Sequence, residues 1–261
     1  MNILDKILAH KKIEITRAKG RVTVEGLKQN EWFGRKTFSL AACLSDETKT
    51  GIIAEFKRRS PSRGMINDTA GVEEVTIAYS KYGASGLSVL TDEYFFGASP
   101  DDFMKARINA VPILRKDFII DEYQVVEAKA MGADVILLIA ACLTPVRTKE
   151  LAFFAKELQL EVLLEIHNEE ELEHICDETV LVGINNRDLK TFSVNINCSL
   201  ELGKLIPKNK IKIAESGIDS MATIDTFKAA GFKGFLMGEK FMKEERPGEA
   251  FKEFVQQLKQ P

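Results

Sequence analysis

The sequence lacks most of the features that announce a particular function. Its 261 residues include only four cysteines, Cys43, Cys142, Cys176 and Cys198, and no two of them form a CxxC pair. Scattered thiols in a chain this long read as free cysteines in a reducing compartment, which excludes a disulfide framework. The three histidines, His10, His167 and His174, lack the spacing of metal ligands, so no metal is expected. No segment resembles a P-loop, a GxGxxG fingerprint or a GxSxG elbow, so no cofactor is expected either. No stretch approaches the ~18 apolar residues of a membrane span. The first residues, MNILDKILAHKKIEITRAKG, are charged throughout and show neither the apolar core nor the cleavage site of a secretory leader. A cytoplasmic chain without a membrane partner is the expectation. An excess of basic charge is also missing: Lys plus Arg is 36 and Asp plus Glu is 39, a net charge of −3. That argues against a nucleic-acid partner, and any anion site must come from local clustering of cations.

What is present is a repeated α/β pattern. Hydrophobic residues make up 45% of the chain, enough for a large core, and charged residues 29%, enough to solvate its surface. From residue 50 on, eight short apolar runs alternate with longer amphipathic segments: 51–55 (GIIAE), 87–91 (LSVLT), 111–116 (VPILRK), 135–140 (VILLIA), 162–166 (VLLEI), 181–185 (LVGIN), 211–215 (IKIAE) and 234–238 (GFLMG). Continuous, short runs without polar alternation are the mark of buried parallel strands. Helix signals lie between them. Ser99-Pro100-Asp101-Asp102 and Thr144-Pro145 read as caps with proline in the first turn. Asn168 with Glu171 reads as a capping box, and Gly132 and Gly231 as helix stops. The segments YGASGLSVL, MGADVILLI and AGFKGFLMG repeat one helix-to-strand junction. Eight such units predict a (β/α)8 TIM barrel in preference to a doubly wound sheet. Residues 1–48, which hold the only tryptophan, Trp32, are predicted to form an N-terminal helical extension. Residues 49–261 form the barrel, a last helix opens at Pro247, and the whole makes a single domain.

Barrel enzymes place their chemistry at the C-terminal ends of the strands. Polar residues punctuate the runs there: Glu55 and Lys57, Arg115-Lys116-Asp117, Glu165 with His167, Asn185-Asn186-Arg187, Glu215-Ser216-Gly217, and Gly238-Glu239. Residues two apart on a strand share a face, so Glu55 pairs with Lys57 and Asn185 with Arg187. One glutamate at a strand end is accounted for by rim pairing. Three glutamates and two lysines at the same end are not, because buried charge is costly unless paired or used. Ser216-Gly217 and Gly238-Glu239 follow the last two strands, where many barrels bind phosphate on backbone N–H groups. In the loop 57–64 (KRRSPSRG), Lys57 and Ser60 are placed to face the site, whereas Arg58 and Arg63 read as solvated surface. Leu137, Ile139, Phe95, Phe118 and Leu189 lie at or beyond strand ends and together would line a pocket for an aromatic ring.

Several of these segments resemble the indole-3-glycerol-phosphate synthase family: IAEFKRRSPS at 53–62, LRKDFI at 114–119, LEIH at 164–167, GINNRDL at 183–189 and AESGI at 214–218. The likeness runs in order over about residues 50–240. It implies a cofactor-free lyase (a carboxy-lyase) of tryptophan biosynthesis acting on a small phosphorylated anion, 1-(2-carboxyphenylamino)-1-deoxyribulose 5-phosphate, with product handed on to other enzymes of that pathway. By position, it implies that Lys116 is the general acid for ring closure and that Lys57 lies near the substrate carboxylate. Glu165 is then a base or cation stabiliser and Glu55 a second acid/base group, while Asn185 and Glu215 orient polar groups. Ser60, Arg187, Ser216, Gly217, Gly238 and Glu239 fall on sugar- and phosphate-binding positions, with Glu239 contributing only its backbone N–H. Arg59 departs from the family pattern. The rival readings are another phosphate-binding barrel, such as a sugar-phosphate or phosphoribosylanthranilate isomerase, and a catalytically silent binding barrel.

Overall fold

The structure, a computed structural model, describes residues 3–188 and 191–258. Three helices come first: α1 (Ile3–Arg21), α2 (Val24–Lys28) and α3 (Leu40–Ser45). The strands among the described residues are β1 (Ile52–Phe56), β2 (Arg59–Ser60), β3 (Gly64–Met65), β4 (Gly86–Leu90), β5 (Ile113–Lys116), β6 (Val135–Ile139), β7 (Glu161–Ile166), β8 (Leu181–Asn185), β9 (Ile211–Glu215) and β10 (Gly234–Met237). All but β2 and β3 join in one closed parallel ring, β1-β10-β9-β8-β7-β6-β5-β4. Between and after the ring strands run α4 (Val72–Lys81), α5 (Glu93–Phe96), α6 (Asp102–Ala106), α7 (Glu122–Ala130), α8 (Pro145–Glu157), α9 (Ile196–Leu202), α10 (Met221–Ala229), α11 (Glu239–Met242) and α12 (Pro247–Leu258). The ring is the predicted (β/α)8 barrel. Among the described residues no helix is long and apolar enough to cross a membrane.

The strands read as unbroken apolar runs because both of their faces are covered. Ile53, Leu114, Leu137, Leu163, Leu181, Ile213 and Leu236 point inward and fill the barrel as one cluster. Their neighbours Ile52, Ala54, Ile136, Leu138, Leu164 and Val182 point outward and join the helices in a second, larger cluster. Burying a side chain of this size contributes about 1.5–3 kcal/mol, so both layers are strongly specified by the period-2 register.

The extension holds the barrel at both ends. Leu40 and Leu44 of α3 belong to the inner cluster and plug its floor. Glu161, at the start of β7, accepts the Leu40 and Ala41 N–H groups at 2.8 and 3.0 Å, neutralising the first turn of α3. At the opposite end Lys11 of α1 is fully buried, with Asp92, Asp117 and Glu14 at 3.0, 2.9 and 2.9 Å.

The caps fall where predicted in part. Thr144 accepts from Arg147 N–H at 3.2 Å with Pro145 opening α8, and Gly132 and Gly231 take positive φ after α7 and α10. Ser99 caps nothing. Instead Asp102 accepts the Ser99 N–H at 2.7 Å, and its carboxylate is also gripped by Arg58 at 2.9 Å. Asn168 and Glu171 do pair, at 3.1 Å, but they open only a 3₁₀ turn, Glu170–His174. Nor is the segment after β1 a plain loop, for β2 and β3 pair antiparallel within it.

Candidate active site

A cavity of about 550 Å³ opens at the C-terminal mouth of the barrel, within the usual range for a small-molecule site. Glu55, Lys57, Lys116, Glu165, Asn185 and Glu215 all line it, as do Ser60, Arg187, Ser216, Gly217, Gly238 and Glu239. These residues come from strands and loops more than 180 positions apart in the chain, and parallel pairing alone brings them together, since every strand ends at the same mouth.

The charged floor is a connected set. Lys116 Nζ lies 2.7 Å from Glu165 Oε2 and 3.5 Å from Glu215 Oε2. Asn185 Nδ2 donates to Glu165 Oε1 at 3.1 Å. Lys57 Nζ donates to Glu55 Oε1 at 2.6 Å, and Ser88 Oγ to Glu55 Oε2 at 3.3 Å. The three glutamates are buried. Two glycines make this possible. A Cβ on Gly183 would overlap Glu215 Oε1, and one on Gly238 would come within 2.9 Å of the Glu55 side chain.

Burial and mutual charge separate the protonation states of these groups. Burial pulls the Lys116 ammonium down, but Glu165, Glu215 and Glu55 more than offset it, so its pKa is raised. The sequence suggests two opposed influences on this lysine, and in the structure the carboxylates prevail. For Glu165, burial favours the neutral form, yet Lys116 and His167 hold it ionised, well below the ordinary carboxylate range. Burial dominates at Glu215, with Glu165 and Glu55 adding repulsion against the pull of Lys116, and pushes it up to about 8. Thus one carboxylate is an anion and its neighbour holds a proton.

At the other end of the cavity lies a cationic rim beside the Ser216-Gly217 turn. Ser216 adopts φ 66° and Gly217 φ 70°; such a conformation at a non-glycine residue costs about 1 kcal/mol or more and is held only by its surroundings. Here Asn186 supplies the hold: its Nδ2 donates to the carbonyls of Glu215 and Ser216 at 3.1 and 2.9 Å. Arg187 Nη2 reaches Glu239 Oε2 at 3.2 Å and Arg63 Nε reaches Glu239 Oε1 at 3.0 Å. The Glu239 side chain therefore bridges two arginines at the rim, a role its sequence position does not suggest.

Of the residues expected to form an apolar wall, Phe118, Leu137 and Ile139 line the cavity, joined by Phe96 and by Ile3, Leu4 and Ile7 of α1. Phe95 is not part of it. Asp92 caps α5 by accepting the Phe95 N–H at 2.7 Å, and the next residue of that short turn, Phe96, enters the cavity while Phe95 packs on His10 and Tyr94. Leu189 lies outside the described residues. Arg58 is not a free surface group, for it pairs with buried Asp102; Arg63 is exposed, as expected, while also bordering the cavity and pairing with Glu239. Arg59 donates to the carbonyls of Glu93 and Tyr94, tying the hairpin to α5.

Sequence reasoning placed His167 beside Glu165 at a strand end but gave it no role. It stands 3.2 Å from Glu165, and the i, i+2 spacing on one strand end was the available signal. Lys11 was legible too: Ile7, Lys11 and Ile15 recur at helical spacing, which places a cation in an apolar stripe.

A model of the indole-3-glycerol phosphate synthase family matches residues 4–254. An indole-3-glycerol phosphate synthase of Bacteroides thetaiotaomicron is 46% identical over 260 residues, covering 98% of this chain and 99% of that protein. One of Burkholderia multivorans is 42% identical over 253 residues, covering 95% and 97%. Among solved structures, the tryptophan synthase A-subunit of Pyrococcus furiosus superposes with a TM-score of 0.60 at 17% identity, over 80% of this chain and 98% of that one. A mandelate oxidase superposes with a TM-score of 0.61 at 13% identity, over 87% of each chain. At such identities these two likenesses speak for the barrel fold alone.

Proposed function

The chain belongs to the indole-3-glycerol phosphate synthase family, and on that premise we propose how its cavity closes an indole ring on 1-(2-carboxyphenylamino)-1-deoxyribulose 5-phosphate with loss of CO2 and water. The substrate phosphate sits on the N–H groups at Ser216, Gly217, Gly238 and Glu239, with Ser60 and Arg187 beside it. Its aromatic ring lies against Phe118, Leu137 and Ile139, and its carboxylate faces Lys57. Lys116, kept protonated by the carboxylates around it, donates its proton to the ribulose carbonyl oxygen as the ring carbon attacks the carbonyl carbon. Glu165 remains an anion and steadies the positive charge that develops on the aniline nitrogen and ring. CO2 then leaves, and its bonding electrons restore the ring. Loss of the new hydroxyl as water needs an acid and a base, for which Lys57 and Glu55, 2.6 Å apart, are placed. Asn185 and Glu215 orient the sugar hydroxyls. This makes the enzyme a carbon–carbon lyase.

The observation that carries the reading is the contact of Lys116 with both Glu165 and Glu215 in a cavity whose far end bears the Ser216-Gly217 turn. Purified protein incubated with this substrate should produce indole absorbance and release CO2 in equal amounts. Substrate consumed without CO2, or not consumed at all, would refute the assignment.

A further inference from the structure

His167 closes β7 two residues after Glu165, and each of its ring nitrogens meets a carboxylate. Nδ1 is hydrogen-bonded to Glu171 Oε2 at 3.2 Å, and Nε2 lies at ion-pair distance, 3.2 Å, from Glu165 Oε1 without the alignment of a hydrogen bond. Glu171 is itself fixed: it accepts the His167 N–H at 2.7 Å and the Asn168 side-chain N–H at 3.1 Å, while its own N–H donates to Asn168 Oδ1 at 3.1 Å. The ring is 11% exposed, so water does little for it. A neutral imidazole carries one N–H and one lone pair, and could face only one of these carboxylates favourably. A doubly protonated ring donates from Nδ1 to Glu171 and presents its positive charge to Glu165.

We propose that His167 is a positioning residue: clamped between Glu171 and Glu165 as an imidazolium, it fixes the Glu165 carboxylate opposite Lys116 and serves as its standing counter-ion. The proposal rests on the role assigned above to Glu165. Its logic follows the proton. Before ring closure Glu165 has two cationic neighbours, Lys116 and His167. When Lys116 Nζ gives its proton to the carbonyl oxygen it becomes a neutral amine, and Glu165 loses that partner just as positive charge builds on the substrate. With no other cation at hand, a buried glutamate beside Glu215 and Glu55 would capture a proton and lose its charge. His167 prevents this.

The other groups facing the ring fit that picture. The Cys142 thiol, in the turn after β6, is held neutral by burial and by Glu165 and Glu171. Cys198 of α9 reaches the His167 carbonyl, at 3.7 Å, and not the ring. Asn185, from β8, shares Glu165 Oε1 with the imidazole. Burial would lower the His167 pKa, but Glu165 and Glu171 raise it to about 10.

Nitrogen-15 spectra of histidine-labelled protein test the charge directly, since the chain has only three histidines and the Glu-facing ring is identified by its loss in His167→Gln. Both nitrogens of His167 should be protonated at pH 7.5 and should stay so until above about pH 9. A neutral tautomer at pH 7.5 overturns the proposal. The kinetic test compares His167→Gln, which keeps a donor but no charge, with wild type. Turnover should fall on the order of tenfold with KM within about twofold, and the acidic limb of the kcat–pH profile should move upward by about one unit. A profile superimposable on wild type overturns it. Should His167→Gln not fold, Glu171→Gln leaves the ring in place and should bring its titration down toward pH 7; an unchanged titration overturns the clamp. Glu165→Gln separates the two levels of the argument. If it turns over normally, the role of Glu165 fails and the proposal with it. If it is slow while His167→Gln is normal, the counter-ion role alone fails.

Discussion

Lys116 is the residue on which chemistry should depend most directly. Lys116→Ala removes the proposed proton donor while leaving the proposed phosphate cradle and the apolar wall intact. Turnover is expected to fall at least on the order of a hundredfold, with substrate binding, followed by fluorescence or calorimetry, changed little. Near-normal turnover would exclude the role. Glu215 offers a second test, through stability. Its folded pKa of about 8 lies above the ordinary 4.5. The native state therefore holds a proton that the unfolded chain has already released, and stability drains away as pH rises from 4.5 toward 8. Glu215→Gln cannot ionise. It should match wild type near pH 5 and exceed it at pH 8.5 by on the order of 1–3 kcal/mol. Parallel melting curves at the two pH values would sink this reading. At this scale the sequence named residues that the fold gathers in one cavity, but not their ionisation, because each state is set by neighbours on other strands.

Among the elements, α1 does more than decorate the barrel. Its Ile3, Leu4 and Ile7 roof the cavity, and its Lys11 is the only cation reaching both Asp92 and Asp117 among the described ion pairs. Asp117 follows Lys116 directly, and Asp92 caps the turn that delivers Phe96. Lys11→Met leaves buried Asp92 without its cation, while Asp117 keeps Arg115 at 3.2 Å; breaking a buried pair in this way typically costs about 3–5 kcal/mol. For a chain of this size that is a Tm lower by roughly 10 °C, and kcat/KM should fall with it because both aspartates hold residues of the site. An unchanged Tm would show that the ion pairs merely break even. The short turn α5 teaches the opposite lesson about legibility. Tyr94, Phe95 and Phe96 are consecutive aromatics, and composition cannot tell which of them enters a pocket. The phase of one capped turn, set by Asp92, decides it.

For the whole molecule, a net charge of −3 coexists with a mouth bearing Lys57, Arg63, Arg187, Lys240 and Lys243. The proposed substrate, with its phosphate and carboxylate, should be drawn to that rim against a mildly repulsive surround, and salt should weaken the attraction. Raising ionic strength from about 50 to 500 mM should lower kcat/KM on the order of threefold or more, with kcat nearly constant. A salt-independent kcat/KM would mean that the glutamates facing the rim, Glu239 above all, already cancel its field.

The sequence by itself determined the number and order of the eight barrel strands, the faces they bury and the end at which their polar residues gather, though not the β2–β3 hairpin. These follow from a period-2 and period-3.6 pattern that is local to each segment. Only the tertiary structure decided that α3 plugs the floor while α1 covers the mouth, and that Lys116 stays charged where Glu215 does not. Such outcomes depend on distances of a few ångströms between groups tens of residues apart in the chain. Electrostatic energy in a buried site changes steeply over that range, and hydrophobic periodicity carries no record of it.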